Sequence, residues 1–276
     1  SELELGRRAT RRRQSTKSVL IALVSSVVFV VVVGWTILSS PGWEDVRRAF
    51  FDPEIALASF PSILAGLWVN IQVLFVAAIA VAILGTTLAV LRSLRGPVFF
   101  PLRALATIYT DLFRGIPLLI VLYLVGFGLP ALGVFGRVPV VLWGTIAIVL
   151  TYSAYIAEVL RAGMEAVHPS QRVAARSLGL SHAQTLRIVV IPQGVRKVVP
   201  ALMNDFVSLQ KDVGLISVLG AVDAVRAAQI ASAQAYNFTP YIVAALLFVA
   251  MALPMIRLTD YVSARLAKRE QMGGTV

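Results

Sequence analysis

Two uncharged apolar runs constrain this chain before anything else. Val19 to Leu38 reads VLIALVSSVVFVVVVGWTIL, and Pro61 to Leu91 carries no charge at all. A helix needs roughly 20 apolar residues to cross the hydrocarbon core of a bilayer. The first run exceeds the core of a cleaved signal peptide, about 7–15 residues, so it reads as an uncleaved helix running from inside to outside. The second is long enough for a tilted span. Its small and polar residues, Gly66, Asn70, Gln72, Gly85, Thr86 and Thr87, are expected to face neighbouring helices rather than lipid. Composition agrees: 58% of residues are hydrophobic and 14% charged, against roughly half and about a quarter in soluble domains. A net charge of +11 suggests nucleic acid in a soluble protein, but these cations cluster at the ends of apolar runs. That is the pattern of membrane topology, so no nucleic-acid partner is expected. Cysteine is absent, which excludes disulfides and thiolate chemistry. Two histidines without HExxH spacing argue against a metal centre, and no GxxxxGK[ST] loop is present to hold ATP.

The rest of the chain alternates in the same way. Residues 1–17 hold Arg7, Arg8, Arg11, Arg12, Arg13 and Lys17 and read as a flexible cytoplasmic anchor, followed by the first helix over 18–39. Residues 40–60 mix Trp43, Phe50 and Phe51 with charges, which suits an external interfacial segment. Val98 to Phe127 returns outward and is broken by Arg114-Gly115-Ile116-Pro117. Such a break is tolerated at membrane depth only under protein or beside water, as a structural kink or as a bend lining a pathway. Gly128 to Pro139 reads as an external loop, and Val140 to Val159 spans back, with Glu158 and Arg161 as an ion pair at its end. Val195 to Gly220 and Tyr241 to Val262 are the last two spans, joined by a polar segment, Asp223 to Asn237; the tail is 265–276. The expectation is an all-α integral membrane protein with six transmembrane helices, five of them in a domain over 61–264, and both termini cytoplasmic. Inside fall the N-terminal cluster, Arg92, Arg95, Arg196, Lys197 and the tail cations Arg265, Lys268 and Arg269; outside fall Arg47, Arg48, Arg137 and Arg226. That asymmetry obeys the positive-inside rule.

Residues 168–193, HPSQRVAARSLGLSHAQTLRIVVIPQ, stand apart, with Arg172, Arg176 and Arg187 and no acid. Pro169 suits the first turn of a helix, Gly179 a left-handed helix end, and Ser181 the cap of a second helix, His182 to Val190. Pro192 is expected to stop or kink that helix. A basic helix–turn–helix between apolar spans is a cytoplasmic knuckle fit to touch another protein.

The fifth span carries Asp205, Lys211 and Asp212. Charge near a bilayer centre costs about 2.5–3.5 kcal/mol each on insertion scales, so these side chains face the bundle interior or water. Asp205, Ser208 and Asp212 share a helical face, and Asn204, Ser208 and Lys211 form an adjoining stripe. Two carboxylates stacked this way suit an ammonium or guanidinium group; the competing readings are neutralisation by Lys211 and plain interfacial placement near the cytoplasmic end.

The knuckle and the fifth span together resemble the transmembrane permease subunits of bacterial ABC importers, in the polar amino-acid branch. The EAA loop of that family is matched by Val173-Ala174-Ala175, by Gly179 four residues later, and by Ile191-Pro192-Gln193. The stretch Ala157 to Gly163 resembles an upstream element of the branch, and a downstream N-[ED]-F-x-x-L-x-K-D helix is matched by Asn204, Asp205, Phe206, Leu209, Lys211 and Asp212. Val173 stands where the motif has glutamate, which weakens any salt bridge through that position; Ser170 stands for a glycine, and Val213-Gly214 for Thr-Ser. The resemblance spans about residues 60–265. It implies a five-helix type I importer core plus one extra N-terminal helix, in the bacterial inner membrane. It implies a coupling helix at Pro169 to Ser181 that docks in a groove of a separate ATPase. Gln171, Arg172, Ala174, Ala175, Arg176, Leu178 and Gly179 would make that contact. Asn204, Asp205, Ser208, Lys211 and Asp212 would line the solute site. ATP and magnesium would sit on an ATPase dimer, so this chain needs no cofactor and is not an enzyme. Further implied partners are an extracytoplasmic amino-acid-binding protein, membrane lipid, and a second permease, identical or related. The alternatives are an ABC permease for another small solute, a nucleotide-independent secondary transporter, for which no inverted repeat is seen, and an intramembrane enzyme, for which Ser153 and His168 lie in no catalytic spacing.

Overall fold

The computed structural model describes the backbone of residues 2–94 and 96–273 and the side chains of 17–94 and 96–266. The cationic side chains expected at residues 7–13, Arg95, Lys268 and Arg269 lie outside the described residues. Among the described residues there are helices and connecting turns only, in two compact units, residues 1–52 and 53–276.

In the first unit, α1 (Glu2–Leu38) carries the apolar stretch Lys17–Leu38. The anchor expected to be flexible is helical from Glu2, because good helix formers extend a helix already nucleated downstream. α2 (Trp43–Phe50) is short and amphipathic, and Glu44 accepts from Arg47 at 2.7 Å and from Arg48 at 3.0 Å. Those hydrogen bonds, Arg47's first, hold the Glu44 carboxyl down to about 2. The expected external segment 40–60 is therefore divided: Pro53 to Phe60 form the opening turns of the next helix.

The second unit is built on α3 (Pro53–Ser93). Its 41 residues make a rod of roughly 60 Å, about twice the hydrocarbon thickness, so it runs past the membrane. It is apolar all round, yet one stripe is buried: Ile63, Gly66, Asn70, Val73, Ala77 and Val81 follow one another at three- and four-residue steps. Trp68, Phe75 and Ile83 on the other faces are exposed, as lipid-facing side chains should be. Of the polar residues expected inward, Gly66, Asn70 and Gly85 are buried; Gln72, Thr86 and Thr87 are exposed, and Thr87 turns its hydroxyl to the Ile83 carbonyl at 2.8 Å.

The expected outward span 98–127 is two helices, α4 (Phe100–Gly115) and α5 (Leu118–Ala131), bent by 107°. Pro117 has no N–H and pushes Ile116 to extended backbone, φ −102° and ψ 129°. α5 contains a π-helical turn, Leu124–Gly128, and runs four residues beyond the expected end. α6 (Val140–Glu165) crosses the centre of the unit. α7 (Pro169–Ser177) is the first half of the knuckle. Its second half does not end at Pro192: α8 runs from His182 to Leu219. A π-helical turn, Thr185–Val190, shifts the hydrogen-bond register so that Pro192 falls in the first turn of the segment Ile191–Asp212, where its missing N–H costs nothing. The last turns of α8, Val213–Leu219, tighten to 3-10 geometry. The segment 223–237, expected as a polar connection, contains α9 (Ala224–Ala235), whose Ala224, Ala227 and Ala228 pack with Ile63 and Leu67 of α3. α10 (Thr239–Gly273) closes the chain. Among the described residues four helices are long and apolar enough to cross a membrane, and up to six when each bent pair, α4–α5 and α8–α9, counts as one span.

The main core joins Val73, Ala77 and Val81 to Leu122, Trp143, Ile148 and Ile216, all buried. Elsewhere close helix approaches rest on glycine: a Cβ on Gly66 would stand 2.4 Å from the Asp223 carbonyl carbon, and one on Gly163 would stand 2.6 Å from the Gly194 carbonyl oxygen. At the first of these crossings Asn70 donates to Asp223 at 2.9 Å and to the Val213 carbonyl at 3.2 Å, and accepts from the Ala224 N–H at 3.0 Å. Asp223 caps α9 by accepting from the Arg226 N–H at 2.8 Å.

Candidate functional site

The knuckle is held in one shape by its own sequence. His168 accepts from the Ser170 N–H at 3.2 Å and opens α7. At its end the Leu180 N–H donates to the Ala175 carbonyl at 3.2 Å and the Gly179 N–H to the Arg176 carbonyl at 3.0 Å. This paired closure needs the left-handed φ of +82° that Gly179 adopts. Ser181 and Gln184 then form a reciprocal capping box. Arg172 donates to the Met164 carbonyl at 2.6 Å and Lys197 to the Ala166 carbonyl at 2.6 Å, which fastens the knuckle to the end of α6. Arg176 donates to the Leu180 carbonyl at 2.9 Å. Both motif arginines are thus engaged with the chain's own carbonyls. Ala175 is buried against the chain, whereas Gln171 and Ala174 face out. Leu178 is 82% exposed and Val173 65%, and a cavity of about 460 Å³ opens beside α7 between Val173, Ser177 and Leu186. An apolar ridge on a rigid helical elbow, beside a groove, is a docking shape.

Near the middle of α8 a second cavity, of about 310 Å³, lies between α3, α6 and α8. Its wall is mostly apolar, from Val81, Ile156, Leu202, Phe206 and Leu209, with Thr86, Tyr152 and Asp205 as the polar groups. One Asp205 oxygen, Oδ2, is buried without a hydrogen-bond partner. Tyr152 donates its hydroxyl to Asp212 Oδ2 at 2.7 Å. The structure therefore gathers Asp205 and Asp212 around Tyr152. Asn204 and Lys211 are exposed and Ser208 is half-buried; none of the three lines this cavity, and Asp212 reaches it only through Tyr152. Among the described residues Lys211 forms no ion pair, so it does not neutralise the carboxylates. Sequence reasoning does not single out Tyr152; its one signal is a phenol in the middle of an apolar span, since a buried phenol normally finds a partner.

Glu158 does pair with Arg161, and the pair is larger than its spacing implies. Arg92 from the end of α3 lies 2.8 Å from Glu158, and Arg114 from the end of α4 lies 3.5 Å away. One carboxylate thus ties three helices. Glu158→Gln is expected to lower the thermal midpoint by about 5 °C, because three guanidiniums lose their shared counter-ion. Glu165→Gln, removing a carboxylate with one partner and 63% exposure, should shift it by about 2 °C or less. Equal shifts in a melting assay would show that Glu158 is not the tie.

The family described as binding-protein-dependent transport system inner membrane component matches residues 96–268. The arginine transport system permease protein ArtQ of Bacillus subtilis is 32% identical over 73% of this chain and 91% of its own length. The probable glutamine ABC transporter permease protein GlnM of the same organism is 35% identical over 67% of this chain and 84% of its own. A crystal structure of an amino acid ABC transporter with histidines superposes with a TM-score of 0.68 at 34% identity, covering 74% of this chain and 94% of that one. The inward-facing MetNI methionine ABC transporter shares the fold, at a TM-score of 0.56 and 19% identity over 74% of this chain and 95% of that one. An all-helical bundle with an exposed elbow, matched over most of its length by these permeases, belongs to the family of binding-protein-dependent transport system inner membrane components.

Proposed function

We propose that this chain is the permease subunit of an ATP-driven importer that moves a polar or charged amino acid across the cytoplasmic membrane by alternating access. The observation that carries this reading is the knuckle at 168–193, a capped, fastened elbow with Leu178 bare at its tip. A separate ATPase dimer binds ATP and magnesium and grips Leu178 and Val173 in a groove. Its closure then moves the elbow and rocks the helices as rigid bodies. Arg172 and Arg176 stiffen the elbow through their bonds to the Met164 and Leu180 carbonyls and keep further N–H donors for the ATPase. A binding protein outside delivers the solute, a second permease completes the pathway, and both termini lie in the cytoplasm. The solute's cationic group rests between Asp205 and Asp212, with Tyr152 as the hydroxyl between them; Asn204, Ser208 and Lys211 stand outside that grip.

Purification of the complex from native membranes, with identification of its subunits and bound solute, tests the reading as a whole. An ATPase and an amino acid are expected; a lone chain that transports without nucleotide would end it. Gly179→Asp tests the elbow. A side chain at φ +82° is strained by about 1–2 kcal/mol. The variant is expected to insert normally but to lose at least about 10-fold of substrate-stimulated ATP hydrolysis, on the scale of a displaced contact. Normal stimulated hydrolysis would refute the coupling role.

A further inference from the structure

We propose that the phosphate of an anionic phospholipid, from the leaflet on the side of α7, seats in an arginine-walled cavity at the base of α4. The cavity holds about 270 Å³ between the end of α3, the start of α4 and the knuckle. Arg92, Arg103, Arg161 and Arg172 line it with His182, and Glu165 is the one acid in the wall. Glu158, which pairs with Arg92 and Arg161, is the next carboxylate. Four guanidiniums against two carboxylates leave a surplus of positive charge. Arg103 donates to the Leu94 carbonyl at 3.1 Å and Arg172 to the Met164 carbonyl at 2.6 Å. Each guanidinium has five N–H donors in a planar fork, so these bonds orient the groups and leave donors over. That fork matches a phosphate, as it does a carboxylate, with two parallel N–H···O bonds.

What points to a lipid is the surface beside the cavity. Leu102, Leu105 and Ile108 of α4 are 46%, 65% and 62% exposed and lie on one face. Thr110 and Ala106 on the other face are buried. Phe100 is exposed as well, and Arg103 sits over its ring at 5.8 Å from the centroid. Arg103 thus stands between exposed Phe100 and the cationic hollow, on the side of α4 away from Leu105. A headgroup in the hollow with acyl chains along the apolar face of α4 satisfies both surfaces; a soluble anion satisfies only one. None of the solute-site residues takes part, although Arg172 and His182 belong to the elbow on which the transport reading rests.

The test uses the purified protein in its native complex, exchanged into micelles with phosphatidylglycerol or phosphatidylcholine and examined by native mass spectrometry. Phosphatidylglycerol is expected to be retained over phosphatidylcholine. Arg103→Gln is expected to reduce that preference about fivefold, the weight of one basic residue at an anionic surface. His182→Glu is expected to reduce it similarly. An acid there suits the first turn of α8, so this variant keeps the fold while placing negative charge in the wall. Inorganic phosphate in large excess should leave the preference standing. Equal retention of the two lipids, or an unchanged preference in both variants, would overturn the proposal. Displacement of the lipid by inorganic phosphate would overturn its lipid source.

Discussion

Replacing Asp205 and Asp212 together by asparagine is expected to cut uptake at low substrate by about 100-fold. The estimate rests on two charged hydrogen bonds lost to a cation, each worth about 1.5–3 kcal/mol. Asparagine keeps the size of each side chain, so the amount of assembled complex recovered should stay within about twofold of wild type, as expected of substitutions that leave packing intact. Asp205→Asn alone should account for the larger part, because its Oδ2 is buried with no partner to lose. Tyr152→Phe should act in the opposite sense on packing and charge: it removes the one donor to Asp212 and leaves both carboxylates in place. Its effect is expected to be about fivefold, the weight of one hydrogen bond. The measurement is labelled amino-acid uptake into vesicles holding the full complex. Wild-type uptake in the double variant, at substrate well below saturation, would remove the carboxylates from the solute site.

The largest effect on folding is expected at the crossing of α3 with the α8–α9 junction. Gly66→Ala would set a methyl carbon 2.4 Å from the Asp223 carbonyl carbon and 2.5 Å from the Ala224 nitrogen, both backbone atoms of a buried turn. Nothing there is a flexible side-chain end that can swing aside, so the helices must part. Asn70→Leu attacks the same crossing differently. It keeps the volume and removes two donations and one acceptance, which leaves the Asp223 carboxylate and the Ala224 N–H short of partners inside the bundle. Each orphaned buried group costs about 1–3 kcal/mol, and for a domain of this size that sums to a fall of about 10 °C in thermal midpoint. Phe75→Leu on the exposed face of the same helix is the control and should move the midpoint by about 2 °C or less. A thermal-shift series in detergent measures all three. If Asn70→Leu and Phe75→Leu melt together, the crossing is not where stability resides.

Much of the knuckle was legible because its signals are local. Pro169, Gly179 and Ser181 each act on the backbone within a turn of themselves, and α7 and the start of α8 lie where those residues place them. Pro192 was misread for the complementary reason. Its effect depends on the hydrogen-bond register of the turn before it, and the π-helical turn at 185–190 changed that register. The break at Pro117 was legible; its angle of 107° was not, since a proline says where a helix stops and tertiary packing says where the next one points. The segment 223–237 reads as a polar connection because alanine, serine and glutamine carry little apolar signal. One face of α9 is buried all the same, since small side chains let it lie close against α3.

By itself the sequence determined an all-helical membrane protein, the position of its elbow, and the carboxylates its fifth span could not leave in lipid. These follow from run length, from backbone chemistry within a few residues, and from the cost of charge in a bilayer. Only the tertiary structure decided which side of each helix is inside. α3 is apolar on every face, so no periodicity distinguishes the stripe through Asn70 from the stripe through Phe75. The same holds for the partners of single polar groups: Tyr152 with Asp212, Asn70 with Asp223, and Arg92 and Arg114 with Glu158 are contacts between distant stretches of chain. In a bilayer both lipid and protein interior are apolar, and the choice between them is made by shape and by a few hydrogen bonds that exist only once the helices have met.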